Sequence, residues 1–135
     1  MEISWFEAAL AFLAGMVVAF IWYQKGPIAN AWERLTGVTP DRSRPARLRN
    51  MTQLAIANLV TALGLTVAIS LAAATTGNAS MGMALLVGFA AWLTFSASTL
   101  LQHNAFELKP PMLTVINTSY QLAMFLAMSI VIGLV

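Results

Sequence analysis

The sequence predicts an all-α membrane protein: four transmembrane helices in a compact bundle, one transmembrane domain over residues 1–135. Three observations predict it. Only 9% of the residues are charged against 59% hydrophobic, whereas an average soluble domain carries about 25% charge. Four apolar stretches, at about 3–23, 54–75, 82–101 and 112–135, each come near the roughly 20 residues that cross a 30 Å hydrocarbon core. These stretches are continuous rather than alternating. Lipid satisfies no backbone N–H or C=O, so they close their hydrogen bonds within helices and not around a barrel.

The first stretch carries Glu2 and Glu7 and no Lys or Arg before Lys25. A secretory signal needs a positive n-region and a short apolar core, so this segment is read as a retained span. Trp5 and Trp22, with Tyr23, bracket it as interface anchors. Glu7 is expected to snorkel outward or to precede the apolar span proper; a desolvated outer cation or proton site is the alternative.

Residues 24–53 form a basic loop holding Lys25, Arg34, Arg42, Arg44, Arg47 and Arg49. Within it, "GPIANAWERLTGV" predicts a short helix opened by Pro27 and ended by Gly37, with Ile28, Trp32 and Leu35 on one face. It is expected to lie at the membrane interface with Trp32 as a headgroup-level anchor. "TPDRSRP" is a turn-rich connector, and "RPARLRN" leads into the second span. Near anionic headgroups each arginine there is worth about 1 kcal/mol. Orientation and anchoring are the expected role, rather than recognition of a specific lipid or of nucleic acid.

The seventh basic residue, Lys109, lies between spans three and four, and the intervening "TGNAS" loop is uncharged. The positive-inside rule places both basic loops in the cytoplasm and both termini outside, in a bacterial inner (plasma) membrane. Small residues recur at helical spacing in every span: Ala11, Gly15 and Ala19; Ala57, Thr61, Gly64, Ala68 and Ala72; Ala84, Gly88 and Ala91; Ser119, Ala123 and Ala127. In lipid such residues allow close backbone approach, within one bundle or between copies.

Enzymatic signatures are absent: no glycine-rich phosphate loop, no HExxH, no GxSxG. With no cysteine, disulfides, iron–sulfur clusters and thiolate chemistry are excluded. His103 and Glu107 offer two metal ligands where structural zinc wants four. No enzyme activity, metal or cofactor is expected.

What remains is polarity inside the membrane, which costs energy unless paired. Gln53 and Asn58, then Thr99 and Gln102, then Asn117, Tyr120 and Gln121 all fall in the half of the spans nearest the basic loops. At 1.5 Å per residue, Asn58 and Asn117 lie roughly 6 to 9 Å inside their helix starts. They are expected to hydrogen-bond across helices and fix register; a water-filled vestibule or small-ligand pocket is the alternative. In "STLLQHNAFELKPP" (98–111), Gln102, His103 and Asn104 fall where span three leaves the membrane. Asn104 can cap or turn the chain, and Pro110 and Pro111 suit the first turn of span four. Glu107, an acid where bases are expected, is read as pairing with an arginine of the first loop, so that it and His103 mark where the two loops are pinned together. Trp92, in mid-span, needs an acceptor for its indole N–H.

Two segments resemble domain-of-unknown-function family 1761, small prokaryotic membrane proteins with four predicted helices. "WYQKGPIANAWERLTGVT" is similar to its W-Y-x8-W and L-T-G pattern. "GFAAWLTFSASTLLQHNAFELKPPMLTVINTSY" is similar to its second half, with G-F-x-x-W, F-E and I-N-x-x-Y elements. The matching positions are Trp22, Tyr23, Trp32, Gly88, Phe89, Trp92, Phe106, Glu107, Asn117 and Tyr120. The chain departs where the family tends to place Ser-Pro after the Trp-Tyr pair, here Gln24-Lys25, and a proline in span three, here Ala97 or Ser98. The resemblance implies the four-span topology and marks Glu107 and Asn117 as positions of interest; it brings no activity with it.

Two functions fit these readings. The first is a non-enzymatic structural or accessory subunit that associates with itself or with a partner membrane protein. The second is an oligomeric small channel or transporter with a polar vestibule on the cytoplasmic side. The first is favoured, because no span carries a polar stripe through its full depth.

Overall fold

The computed structural model describes residues 4–24 and 26–135. Lys25 and residues 1–3, which include Glu2 and the first residue of span one, lie outside the described set. Every regular element in it is helical.

Helix α1 spans Trp5–Trp22. Its N-cap, Ser4, accepts the Glu7 N–H at 3.3 Å. Glu7 therefore occupies the third position of a Ser-x-x-Glu start, where an acid also meets the positive end of the helix dipole. Helix α2, Pro27–Thr36, opens on Pro27 and stops at Gly37, whose φ of 72° is the left-handed cap that glycine adopts without penalty. A single turn, α3 (Pro40–Ser43), is capped by the Thr39 side chain and runs through a 3-10 turn into α4, Arg47–Thr76. Those 30 residues span about 45 Å, so α4 outruns its apolar stretch and carries Arg47, Arg49 and Asn50 beyond it. Span three is α5 (Met81–Ala91) and α6 (Ser98–Phe106), joined by a π-helical turn at Trp92–Ala97. The hydroxyls of Thr94 and Ser98 donate to the carbonyls of Ala90 and Thr94, both at 2.6 Å, which helps satisfy the backbone around the widened turn. Helix α7 spans Pro111–Leu134. Four helical segments, Trp5–Trp22, Pro40–Thr76, Met81–Phe106 and Pro111–Leu134, are long and apolar enough to cross a membrane.

Helix α7 is the hub. Helices α1 and α5 flank it, α4 bridges those two and also touches it, and α2 and α6 meet it near one end. The close contacts use small residues, as van der Waals packing in lipid requires. On α1, Ala8, Ala11, Gly15 and Ala19 form one buried stripe. A Cβ on Gly15 would collide with the Met128 methyl and reach within 3.5 Å of Met124 Cγ. On α5, Ala84 and Gly88 are buried, and a Cβ on Gly88 would sit 2.9 Å from Ser129 Cβ and 3.4 Å from the Phe125 carbonyl oxygen.

The small faces expected on spans two and four are not the buried ones. In α4 the buried stripe is Asn58, Ala62, Leu65, Thr66 and Ile69, while Ala57 and Gly64 are exposed. In α7 it is Ile116, Tyr120, Met124, Phe125, Met128, Ser129 and Ile132 rather than Ser119, Ala123 and Ala127. For α7 the reason is complementarity: a hub helix fills space best with large side chains, and α1 and α5 supply the small ones.

Substituting Gly88→Ala is expected to destabilise the detergent-solubilised protein by about 1–3 kcal/mol, because the Ser129 side chain and the Phe125 backbone must move. A Cβ on Gly64 would meet nothing within 4 Å, so Gly64→Ala is expected to be neutral or stabilising by about 0.5–1 kcal/mol through helix propensity. Thermal melts of the two variants check the contrast.

Candidate functional site

The end of the bundle that carries the basic residues is built by four elements. Helix α1 stops at Trp22, and Tyr23 caps it with its N–H on the Ala19 carbonyl at 3.3 Å. The chain then turns so that α2 packs back against α7. Tyr23 is the pivot of this end. Its hydroxyl donates to Asn117 Oδ1 on α7 at 3.0 Å. Its ring meets Tyr120 edge-on at 5.1 Å and Trp32 of α2 edge-on at 5.7 Å, the offset geometry that aromatic quadrupoles prefer.

Below this layer Asn58 is buried at 2% exposure. Its amide donates to Met16 Sδ at 3.2 Å and lies beside the Tyr120 hydroxyl, which itself donates weakly to Met124 Sδ at 3.7 Å. Further in, the bundle is closed by Ala11, Ala62, Leu65, Met128 and Ile132. Thr66 and Ser129 are buried there too, but each hydroxyl donates to a carbonyl of its own helix, Ala62 and Phe125, at 2.8 and 2.7 Å. The polar layer therefore has a floor.

Above the floor lies a cavity of about 680 Å³, within the roughly 300–1,000 Å³ range of small-molecule sites. Phe20, Tyr23, Trp32 and Tyr120 form aromatic walls, and Met51, Leu54 and Val38 aliphatic ones. Asn50, Asn117 and Glu33 bring polar groups to it. An apolar and aromatic lining with a few polar groups has the character of a small-molecule site.

The structure thus brings together Asn58, Asn117 and Tyr120 from the expected polar set. The other members go elsewhere. Gln53 and Gln102 are exposed, Gln121 is half-buried on α7, and Thr99 is exposed with its hydroxyl on the Phe95 carbonyl of its own helix. Of the expected interface anchors, Trp5 is 68% exposed at the far end of α1. Trp22 is half-buried against the core, with its indole nitrogen buried and unpartnered among the described residues. Tyr23 and Trp32 stand in the cavity wall. Trp92 donates to the Thr118 carbonyl at 2.9 Å, which ties the π turn to the hub.

The expected loop pinning is corrected. Glu107 pairs with Lys109 at 3.4 Å, not with an arginine of the first loop, and His103 is exposed. The cause is the tight turn between α6 and α7. Lys109 N–H returns to the Asn104 carbonyl and Leu108 N–H to that of Ala105, with Leu108 in the left-handed region at φ 57°, a Schellman closure that holds residues 107 and 109 close. Asn104 ties α6 to α7 across this turn and does not reach the first loop. It is buried at 3% exposure, and its amide donates to Thr114 Oγ1 of α7 at 3.1 Å.

Sequence reasoning carried a pocket at this end only as the alternative, and missed the part of Tyr23 and Trp32 in it. The W-Y-x8-W spacing was the available signal, since it places both aromatics at one helix-to-helix corner.

Two outcomes are expected. A double-mutant cycle of Tyr23→Phe and Asn117→Leu should give a coupling near 0.6 kcal/mol and below about 1.7, the range of interhelical hydrogen bonds in membranes. Glu107→Gln should shift stability by less than about 1 kcal/mol, because its partner and it are both exposed; detergent melts read both.

A family model described as "Protein of unknown function (DUF1761)" matches residues 7–133. Neither a curated protein nor a solved structure matches the chain.

Proposed function

The chain belongs to the DUF1761 family, and from that premise we propose a non-enzymatic, multi-pass membrane protein that holds an amphipathic molecule at one end of its bundle, as an accessory to another membrane process. The cavity carries this reading: about 680 Å³, mostly apolar and aromatic, with polar groups at its rim and a closed floor. A conducting route needs polarity through both leaflets, and the buried hydroxyls beneath Asn58, those of Thr66 and Ser129, are already bonded within their own helices.

The orientation proposed is N-out and C-out in a bacterial inner membrane. In its support, Arg34, Arg42, Arg44, Arg47, Arg49 and Lys109 gather at the cavity's end of the bundle, as the positive-inside rule requires of a cytoplasmic side. Helix α2 would then lie at that interface and roof the site. Self-association fits the exposed Ala57 and Gly64 on α4, since small residues are what lipid-embedded helices use to meet. An oligomeric channel is the second reading, and that same exposed face favours it, because a path would have to run between copies.

Photolabelling in proteoliposomes with an uncharged, diazirine-bearing long-chain alcohol tests the proposal. Label is expected on α2 and around Met51, and Met51→Trp, which fills the cavity, should remove it. Label confined to the outward faces of α1 and α5 would sink the pocket. Proton or ion flux in wild-type vesicles that vanishes in a folded Asn58→Leu/Asn117→Leu variant would establish the channel instead.

A further inference from the structure

The cavity does not end at its aromatic walls. A second hollow of about 240 Å³ adjoins it, sharing Pro40, Ser43, Asn50 and Met51 as a common border and adding Arg44 and Arg47. We propose that the two are one site for an anionic membrane phospholipid, with an acyl chain in the cavity and the phosphate at Arg44 and Arg47. This rests on the reading of the cavity as a binding site and adds the class of its ligand.

Three observations carry it. First, the polarity is divided between the two parts. The larger is aromatic and aliphatic with Glu33 as its acid, which disfavours an anion inside it; the smaller is lined by both arginines. An amphiphile with a negative head matches that division, and a cation or a neutral amphiphile does not.

Second, the two arginines are accessible for a phosphate. Arg44 meets Asp41 at 3.6 Å, but both side chains are largely exposed, at 71% and 89%. Such a pair is weak and yields to a phosphate, which a guanidinium binds through parallel hydrogen bonds. Arg42, by contrast, is occupied: it donates to the Gly37 carbonyl at 2.7 Å and closes the α2–α3 turn.

Third, the site straddles the boundary where a phospholipid changes character. Leu54, the first residue of the apolar stretch of span two, lines the cavity. Arg47 stands about two helical turns before it on the same helix. A lipid entering from the bilayer would meet the apolar wall and the arginines in the order of its own chain and head.

The test is native mass spectrometry of the intact protein in mild detergent, equilibrated with equal amounts of phosphatidylglycerol and phosphatidylcholine bearing the same chains. Wild type is expected to retain one phosphatidylglycerol, about tenfold in preference to phosphatidylcholine. Arg44→Gln/Arg47→Gln should bring that ratio near one while phosphatidylcholine is still held, and each single variant should lose part of the preference. Arg34→Gln/Arg49→Gln removes two arginines of the same loop that line neither hollow, and should leave the ratio unchanged. Met51→Trp should expel both lipids. Equal retention of the two lipids by wild type, or equal loss of preference in the Arg34/Arg49 control, overturns the headgroup assignment and leaves the cavity standing. Retention of neither lipid, or retention that Met51→Trp does not reduce, overturns the cavity reading itself. Circular dichroism and gel filtration confirm that each variant compared is folded.

Discussion

Met124 and Met128 of α7 lie against Gly15 of α1, in a groove floored by alanines at one-turn intervals. Water offers these helices no reason to associate, because lipid tails are as apolar as the side chains themselves. Attraction comes from the number of atoms in contact, and a large flexible side chain laid on a bare backbone maximises it. About 100° round α7, Gly88 of α5 receives the small Ser129 instead, so that the two backbones approach closely. Helix α7 becomes the hub because α1 and α5 present smooth faces to it and it does not.

That packing decides where polar groups can go. Asn58 sits at the edge of the Gly15 contact, its amide nitrogen 3.6 Å from where a Cβ on Gly15 would be. It is the innermost member of the polar layer. Beneath it the buried hydroxyls of Thr66 and Ser129 are bonded within their own helices, and above it α1 runs on only to Trp22, after which the chain turns into α2. Tyr23, Asn117 and Tyr120 tie the end of α1 to α7, and Trp32 on the returning α2 completes the wall. The cavity is the space left between a bundle that has stopped packing and a loop that folds back over it. Its mixed character follows: aromatic where helix ends meet, amide where α4 and α7 begin, and basic where α4 emerges from the apolar region.

The depth of the polar residues was legible in the sequence and their direction was not. Asn58 and Gln53 are five residues apart at neighbouring depths, yet one is buried and the other exposed. Thr99 and Gln102 share that level and face outward, since a hydroxyl at Thr99 is satisfied by its own helix and asks nothing of a neighbour. The small-residue stripe of α4 lies one residue, about 100° of helix rotation, away from the face that is buried. Spacing identifies a face; it does not say which partner that face meets. Glu107 departs from expectation for a similar reason. Its charge suggests a distant partner, and a left-handed turn at Leu108, a residue that rarely adopts one, brings Lys109 to it instead.

By itself the sequence determined the helices long and apolar enough to cross a membrane, because length, apolarity and the need to satisfy backbone hydrogen bonds internally leave no other structure for such segments. It also determined the short helix between Pro27 and Gly37, since proline and glycine punctuate the chain locally. Only the tertiary structure decided which helix is the hub, which side of α4 is inside, and that Tyr23, Trp32, Asn117 and Tyr120 meet around one cavity. Those outcomes depend on rotations of each helix about its axis. Such rotations are set by side-chain complementarity among several helices at once, a property that no single stretch of sequence contains.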